Sequence, residues 1–312
     1  MRSSSHAATA LNSRRRGLLF LLIAGACRPQ AGAEQRLEHT GEEAAAAAVE
    51  FDVASEPADS LIFAQKIAWA RAQRLDTMHI GEAIVALGRT FVGTRYTPGT
   101  LELPGPERLI VNLRELDCVT FVENVLALVR TLRAGRADFP SFQRELVHVR
   151  YRAGVLSGYP SRLHYFSEWI ADNEAKGVVR DITASLSGRV DPDSITFMTR
   201  HRESYRQLAD TATFVEIARI ETTLTGRRRY YIPEDEIAAA APRIRNGDII
   251  AATSTAPGLD VAHTGIALWI QGRLHLMHAP LVGSAVEISE QPLAERIRTI
   301  KTQDGVMVAR PL

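Results

Sequence analysis

The chain has 312 residues, of which 46% are apolar and 23% charged, with 37 Lys and Arg against 36 Asp and Glu. These fractions exclude wholesale disorder, a collagen-like repeat and a polytopic membrane protein, and they leave enough apolar side chains for a sizeable core. A formal net charge of +1 supplies no basic field, so no nucleic-acid partner is expected.

Arg14, Arg15 and Arg16 precede an uncharged apolar run from Gly17 to Ala26 and then small residues, the order of a secretory signal. Those ten residues are too few for a membrane-spanning helix, which needs about 20. Residues 1–33 are therefore expected to be a signal segment. Two processing routes fit. Ala31-Gly32-Ala33 suits cleavage before Glu34, whereas Ala24-Gly25-Ala26-Cys27 resembles an imperfect lipobox in which a lipid on Cys27 would be the sole membrane attachment. Ser13-Arg14-Arg15 also resembles a twin-arginine signal. On either route the protein is expected in the periplasm or cell envelope. With Cys27 set aside, the exported body keeps one thiol, Cys118, and no internal disulfide can form. An unpaired thiol outside the cytoplasm is either a reactive group or a small buried apolar residue.

Residues 34–59 are Ala- and Glu-rich without an apolar stripe and are expected to form a flexible tether. From Ser60 onward Leu61, Phe63, Ala64, Ile67 and Ala68, then Ile80, Ile84, Leu87 and Phe91, recur at the spacing of two amphipathic helices. Asp117 is a good N-cap. After it Cys118, Phe121, Val122, Val125, Val129 and Leu132 follow helical spacing up to Gly135, which suits the stop. Cys118 thus opens a helix on its inward face, where free N–H groups and the positive helix end are expected to lower the thiol pKa. Residues 139–242 are mixed, with a helix expected around Tyr165 to Lys176 and an extended run at Tyr230-Tyr231-Ile232-Pro233. Asn246-Gly247-Asp248 is a turn, and the chain beyond it is expected to be mostly β.

His263 to Ile270 and Arg273 to His278 are strand-like runs joined by Gln271-Gly272, a natural two-residue hairpin connection. With Ile270 opposite Arg273, His278 lies opposite Gly265, and His263 and His278 point to the same face as diagonal neighbours roughly 7–8 Å apart. His275 faces the other way, which disfavours a zinc site made of all three histidines. No metal and no organic cofactor is expected. A thiol at a helix start, a histidine that takes its proton and a second histidine that orients the first make up a nucleophile, base and orienter.

Asp117-Cys118 at the head of an apolar helix, Asn246-Gly247-Asp248-Ile249-Ile250, His263-Thr264-Gly265-Ile266-Ala267-Leu268 and Met277-His278-Ala279 resemble the NlpC-type papain-like peptidoglycan hydrolases. Gly93-Thr94-Arg95-Tyr96, Gly99-Thr100-Leu101-Glu102, the run Asn112 to Asn124, Tyr159-Pro160-Ser161-Arg162-Leu163-His164-Tyr165 and Gly258-Leu259-Asp260 are similar to its N-acetylmuramoyl-L-alanine amidase-like family. The resemblance runs from about Ile80 to the C-terminus. It implies an α+β papain-like fold at residues 60–312, the nucleophile helix packed on an antiparallel sheet, with a large mixed insertion at about 139–242 that forms cleft walls.

It further implies Cys118 as nucleophile, His263 as general base and His278 as orienting residue. Tyr96 would stabilise the oxyanion together with the Cys118 N–H, although its spacing to Cys118 is longer than in the simplest members. Asp117, Glu102, Arg162, His164 and Asp260 would contact substrate. The implied partner is peptidoglycan or a muropeptide, and the implied bond joins N-acetylmuramic acid to L-alanine. Cleavage between D-glutamate and the diamino acid is the alternative, and a non-catalytic peptidoglycan-binding module is the alternative of another class.

Overall fold

The computed structural model describes residues 51–281 and 284–312. The signal segment, Cys27 and most of the expected tether lie outside the described residues. The last part of that tether is folded, which corrects the boundary drawn at Ser60. Strand β1 (Val53–Ala54) pairs in parallel with β3 (Leu109–Ile110), and helix α1 (Pro57–Ala72) starts before Ser60. The reason is local. Asp59 is fully buried in the first turn of α1, where its carboxylate accepts from the Leu113 N–H at 2.9 Å and the Arg114 guanidinium at 3.1 Å. It also accepts from the Glu56 N–H at 2.9 Å, so one side chain ties the helix start to a distant loop.

Helix α2 (Ile80–Arg89) buries Ile84 and Leu87 as its spacing predicts. Strand β2 (Arg95–Tyr96) then pairs in parallel with β4 (Glu115–Leu116), Tyr96 opposite Leu116. The chain between them makes an excursion through β3 and returns, so the long spacing from Tyr96 to Cys118 closes back on itself. Helix α3 (Cys118–Arg133) follows at once. Asp117 caps it, its carboxylate accepting from the Thr120 N–H and the Thr120 hydroxyl, each at 2.8 Å. Gly135, at φ +71°, takes the left-handed conformation just past the C-terminal end.

The remaining elements build one antiparallel sheet around α3. They are α4 (Phe139–Arg150), α5 (Phe166–Ala175), β5 (Val179–Asp181), β6 (Arg189–Asp191), the short α6 (Phe197–Arg200), α7 (Thr211–Thr225), β7 (Arg229–Pro233) and the short α8 (Ile237–Ala240). After them come β8 (Ile249–Ser254), β9 (Val261–Ile270), β10 (Arg273–His278), β11 (Glu287–Ile288), α9 (Leu293–Thr299) and β12 (Gln303–Pro311). The strand order is β11-β10-β9-β8-β12-β7-β6, and β5 also pairs with β12. The stretch expected as an insertion is thus part of the sheet and of the packing on α3. It supplies β5, β6 and β7 to the sheet and α4 against α3.

Alternation along the strands gives the sheet two buried faces. Ile249, Ala251, Ile266, Leu268, Met277 and Met307 pack with α2, α3 and α4. Ile250, Ala252, Ala267, Leu276 and Val308 pack with Ile237, Leu293 and Ile297 of α8 and α9. Within α5 the Phe166 and Trp169 rings stack at 4.8 Å, and Trp169 is fully buried, as expected for a helix that packs on the core.

Candidate active site

Three chain segments meet at the start of α3. Cys118 is half-buried at the first helical position. The Thr264 hydroxyl donates to its carbonyl oxygen at 2.9 Å, which pins the helix start to β9 beside His263. Tyr96 comes from the β2–β4 pair. Its hydroxyl is held above the usual tyrosine range, first by burial and then by the nearby Cys118 and Asp117.

The hairpin register is the one the sequence predicts. Ile270 pairs with Arg273 and Ile266 with Met277, and the Gln271-Gly272 turn has positive φ at both residues, 48° and 75°. An irregularity does occur, since Ala252 pairs with His263 and Thr253 with Val261, leaving Ala262 extra. It lies upstream of His263 and on the β8 side, so it does not disturb the relation between the two histidines. His263 Nε2 and His278 Nδ1 are 2.8 Å apart, with the rings perpendicular at 86°. His275 faces away, opposite Leu268, and its Nδ1 bonds the Ser289 carbonyl at 2.9 Å.

Burial sets the charge states. It pushes both imidazoles below the ordinary histidine value, His263 to about 3 and His278 to about 2, with Arg296 on α9 adding to the effect at each. Both rings are therefore neutral at pH 7. Cys118 corrects the expectation of a lowered thiol pKa. Burial, followed by the Asp117 charge, pushes it up to about 11, and the donors aimed at sulfur pull the other way without winning. Those donors are the Thr264 and Val119 N–H groups, the Thr264 hydroxyl proton being given to the Cys118 carbonyl. A lone thiolate is costly here, so sulfur can carry charge only when a cation forms beside it. Among the described residues no hydrogen bond joins the sulfur to either ring.

The histidine shifts fix the sign of one pH effect. Below about pH 6.5 the unfolded chain gains protons that the folded pair refuses until pH nears 3, so stability is lost as pH falls through that window. The loss is at most about 1.4 kcal/mol per pH unit for each ring. Urea midpoints measured from pH 7 to pH 4 should fall, and His278→Asn should flatten the slope. An unaltered slope in that variant contradicts neutral burial.

The other expected substrate contacts fall in two places. Arg162 is buried and latches two segments together: it donates to Glu102 at 2.5 Å and to the Leu101 carbonyl at 2.9 Å, approaches Glu107 at 3.6 Å, and lies 4.9 Å over the Tyr159 ring. His164 joins this cluster, its Nε2 bonding the Tyr159 carbonyl at 2.9 Å while burial lowers its pKa well below the ordinary value. Glu102 keeps a partly open side, with 40% of its side chain exposed. Asp260, also buried, receives the Ser167 N–H at the start of α5 at 2.8 Å and the Val261 N–H at 2.7 Å, so both its oxygens are engaged. No hydrogen bond among the described residues links these side chains to Cys118, His263 or His278.

Sequence reasoning missed Thr264 and Glu287. Thr264 sits beside His263 in a run with a family resemblance, but only the fold shows its hydroxyl reaching the Cys118 carbonyl. Glu287 had no signal, because only the fold shows that β11 pairs with β10 and sets Glu287 opposite His278.

The family model described as N-acetylmuramoyl-L-alanine amidase-like, or AmiA-like, matches residues 86–306. A crystal structure of an N-acetylmuramoyl-L-alanine amidase from Bacteroides uniformis is 36% identical, covers 75% of this chain and 99% of its own, and superposes with a TM-score of 0.71. A Bacteroides fragilis protein named as a candidate xylanase is 39% identical over 72% of this chain and 98% of its own, with a TM-score of 0.68. A Legionella pneumophila protein, 22% identical over 81% of this chain and 95% of its own, shares the fold at a TM-score of 0.59. No curated protein matches the chain.

Proposed function

This chain belongs to the N-acetylmuramoyl-L-alanine amidase-like family, and from that premise we propose that it hydrolyses a peptidoglycan amide bond with Cys118 as nucleophile and His263 as base. The observation that carries the reading is the hydrogen bond between His263 Nε2 and His278 Nδ1, which fixes the His263 ring through one nitrogen and leaves the other, Nδ1, as the one to act as base. A helix headed by the thiol and packed on an antiparallel sheet supports a papain-like, NlpC-type fold. The substrate is peptidoglycan or a muropeptide, and the bond is the one between N-acetylmuramic acid and L-alanine. The basic and apolar run at Arg14 to Ala26 supports export to the envelope.

The steps follow from the charge states. The Cys118 proton passes to His263 Nδ1, so a thiolate and an imidazolium arise together where neither is stable alone. Sulfur attacks the lactyl carbonyl carbon. The oxyanion is held by the Cys118 N–H, an orphan donor of the first helical turn, and by the Tyr96 hydroxyl. His263 then gives its proton to the departing alanine nitrogen, and a thioester remains on Cys118. Water attacks the thioester while His263 takes its proton, which releases the muramoyl carboxylate and restores the thiol. His278 holds the ring of His263 in one orientation throughout.

Mass spectrometry of purified muropeptides tests the reading: free stem peptide and unsubstituted sugar are expected. A released fragment containing the diamino acid identifies the endopeptidase instead, and unchanged muropeptides identify a binding module. Alkylation tests the pairing. Without a base, Cys118 must lose its proton to solvent, so in His263→Ala the iodoacetamide rate should climb about tenfold per pH unit up to the region of pH 11. The unsubstituted protein should react faster at pH 7 and with a shallower slope. Identical profiles contradict the pairing.

A further inference from the structure

A neutral imidazole carries one N–H and one lone pair, so the bond between His263 Nε2 and His278 Nδ1 admits two proton arrangements. In the first, His263 Nε2–H donates, His263 Nδ1 keeps its lone pair, and the His278 proton sits on Nε2. In the second, His278 Nδ1–H donates, and the His263 proton occupies Nδ1. Only the first lets His263 accept the thiol proton. The choice between them is made at the far nitrogen of His278.

That nitrogen is buried and has no hydrogen-bond partner among the described residues. Facing it across the β10–β11 pair, in register with His278, is Glu287, whose Oε1 lies 3.8 Å away. A carboxylate only accepts, so it attracts an N–H and repels a lone pair. Glu287 is 52% exposed at its side chain, so its carboxylate is free to close the remaining distance to a hydrogen bond. A second charged group near the rings is Arg296 of α9, a donor only, whose Nε is likewise buried without a partner among the described residues. It opposes protonation of the rings, and Glu287 stands against it.

We propose that Glu287 is a positioning residue that holds the His278 proton on Nε2 and thereby keeps His263 Nδ1 free to act as base. The proposal rests on the reading of Cys118 and His263 given above. Among the described residues no hydrogen bond joins Glu287 to Cys118. It acts through His278, and the proton of His263 Nε2 never leaves that nitrogen when the thiol proton arrives at Nδ1.

Long-range proton–nitrogen NMR of the full chain labelled with 15N-histidine reads the arrangement directly. The unsubstituted protein should show His278 protonated at Nε2 and His263 at Nε2. Glu287→Ala should populate the second arrangement and slow iodoacetamide modification of Cys118 at pH 7 about tenfold, the scale expected of a histidine's outer partner. Glu287→Gln, which retains an acceptor oxygen, should restore most of both signals. The proposal is overturned by a His278 proton on Nδ1 in the unsubstituted protein, by Glu287→Ala leaving both signals unchanged, or by a glutamine variant as impaired as the alanine one. If Glu287→Ala fails to fold, the unsubstituted spectrum and the glutamine variant still decide. The alkylation rate of His263→Ala separates the two failures: if it equals that of the unsubstituted protein, the cysteine–histidine reading falls, while the His278 tautomer still tests Glu287.

Discussion

Cys118→Ala is expected to reduce amide hydrolysis by at least about 10³-fold, to the floor of the assay, while the urea midpoint stays close to that of the unsubstituted protein. Cys118→Ser should fare no better. The neutral His263 ring is a weak base, and it can balance a thiolate but not an alkoxide, whose conjugate acid is far weaker than a thiol. Chelators should leave the rate of the unsubstituted protein unchanged. Activity surviving in Cys118→Ser and lost to a chelator would point to metal-assisted hydrolysis and remove the thiol from the mechanism. Muropeptide turnover with folded protein, checked by circular dichroism, is the measurement.

The second large effect is on stability. Glu123 lies on α3 with its carboxylate fully buried, and Arg150 of α4 is its partner, Nε to Oε2 at 2.7 Å. Arg150 also donates to the Ile110 carbonyl at 2.6 Å, and the Trp169 indole N–H reaches the other Glu123 oxygen at 3.2 Å. This network binds α3 to α4, α5 and β3. Arg150→Met removes the cation and leaves a buried carboxylate with one indole donor, which costs about 3–5 kcal/mol. Pairing it with Glu123→Gln should recover much of the loss, because the orphaned charge is gone. Chemical denaturation of the two single variants and the double variant checks this; a loss under about 1 kcal/mol in Arg150→Met contradicts it.

Much of the site was legible because its parts obey local rules. Asp117 announces the start of α3, and Gln271-Gly272 fixes a register that brings His263 and His278 to one face. The same rules located α5 and the turn before β8. What was not legible depends on contacts between distant segments. Asp59 is folded because Leu113 and Arg114 supply its donors, and nothing in the Ala- and Glu-rich run before it signals that. Asp260 looks like a free polar residue until α5 presents the Ser167 N–H to it. The thiol pKa went the other way from the sequence expectation because a helix end says which donors are present but not how far water is excluded. Arg162 and Glu102 share a block pattern with substrate-contacting residues, yet the fold shows them bonded to each other, with Arg162 buried.

The most direct test of the central claim is intact-mass and peptide-level analysis of the protein quenched in acid during turnover of a muropeptide. The account predicts an adduct on the Cys118 peptide with the mass of a muramoyl acyl group, held as a thioester and released by hydroxylamine. Continued turnover with no acyl adduct on Cys118 at any quench time, in a protein whose Cys118→Ala variant remains active, contradicts it.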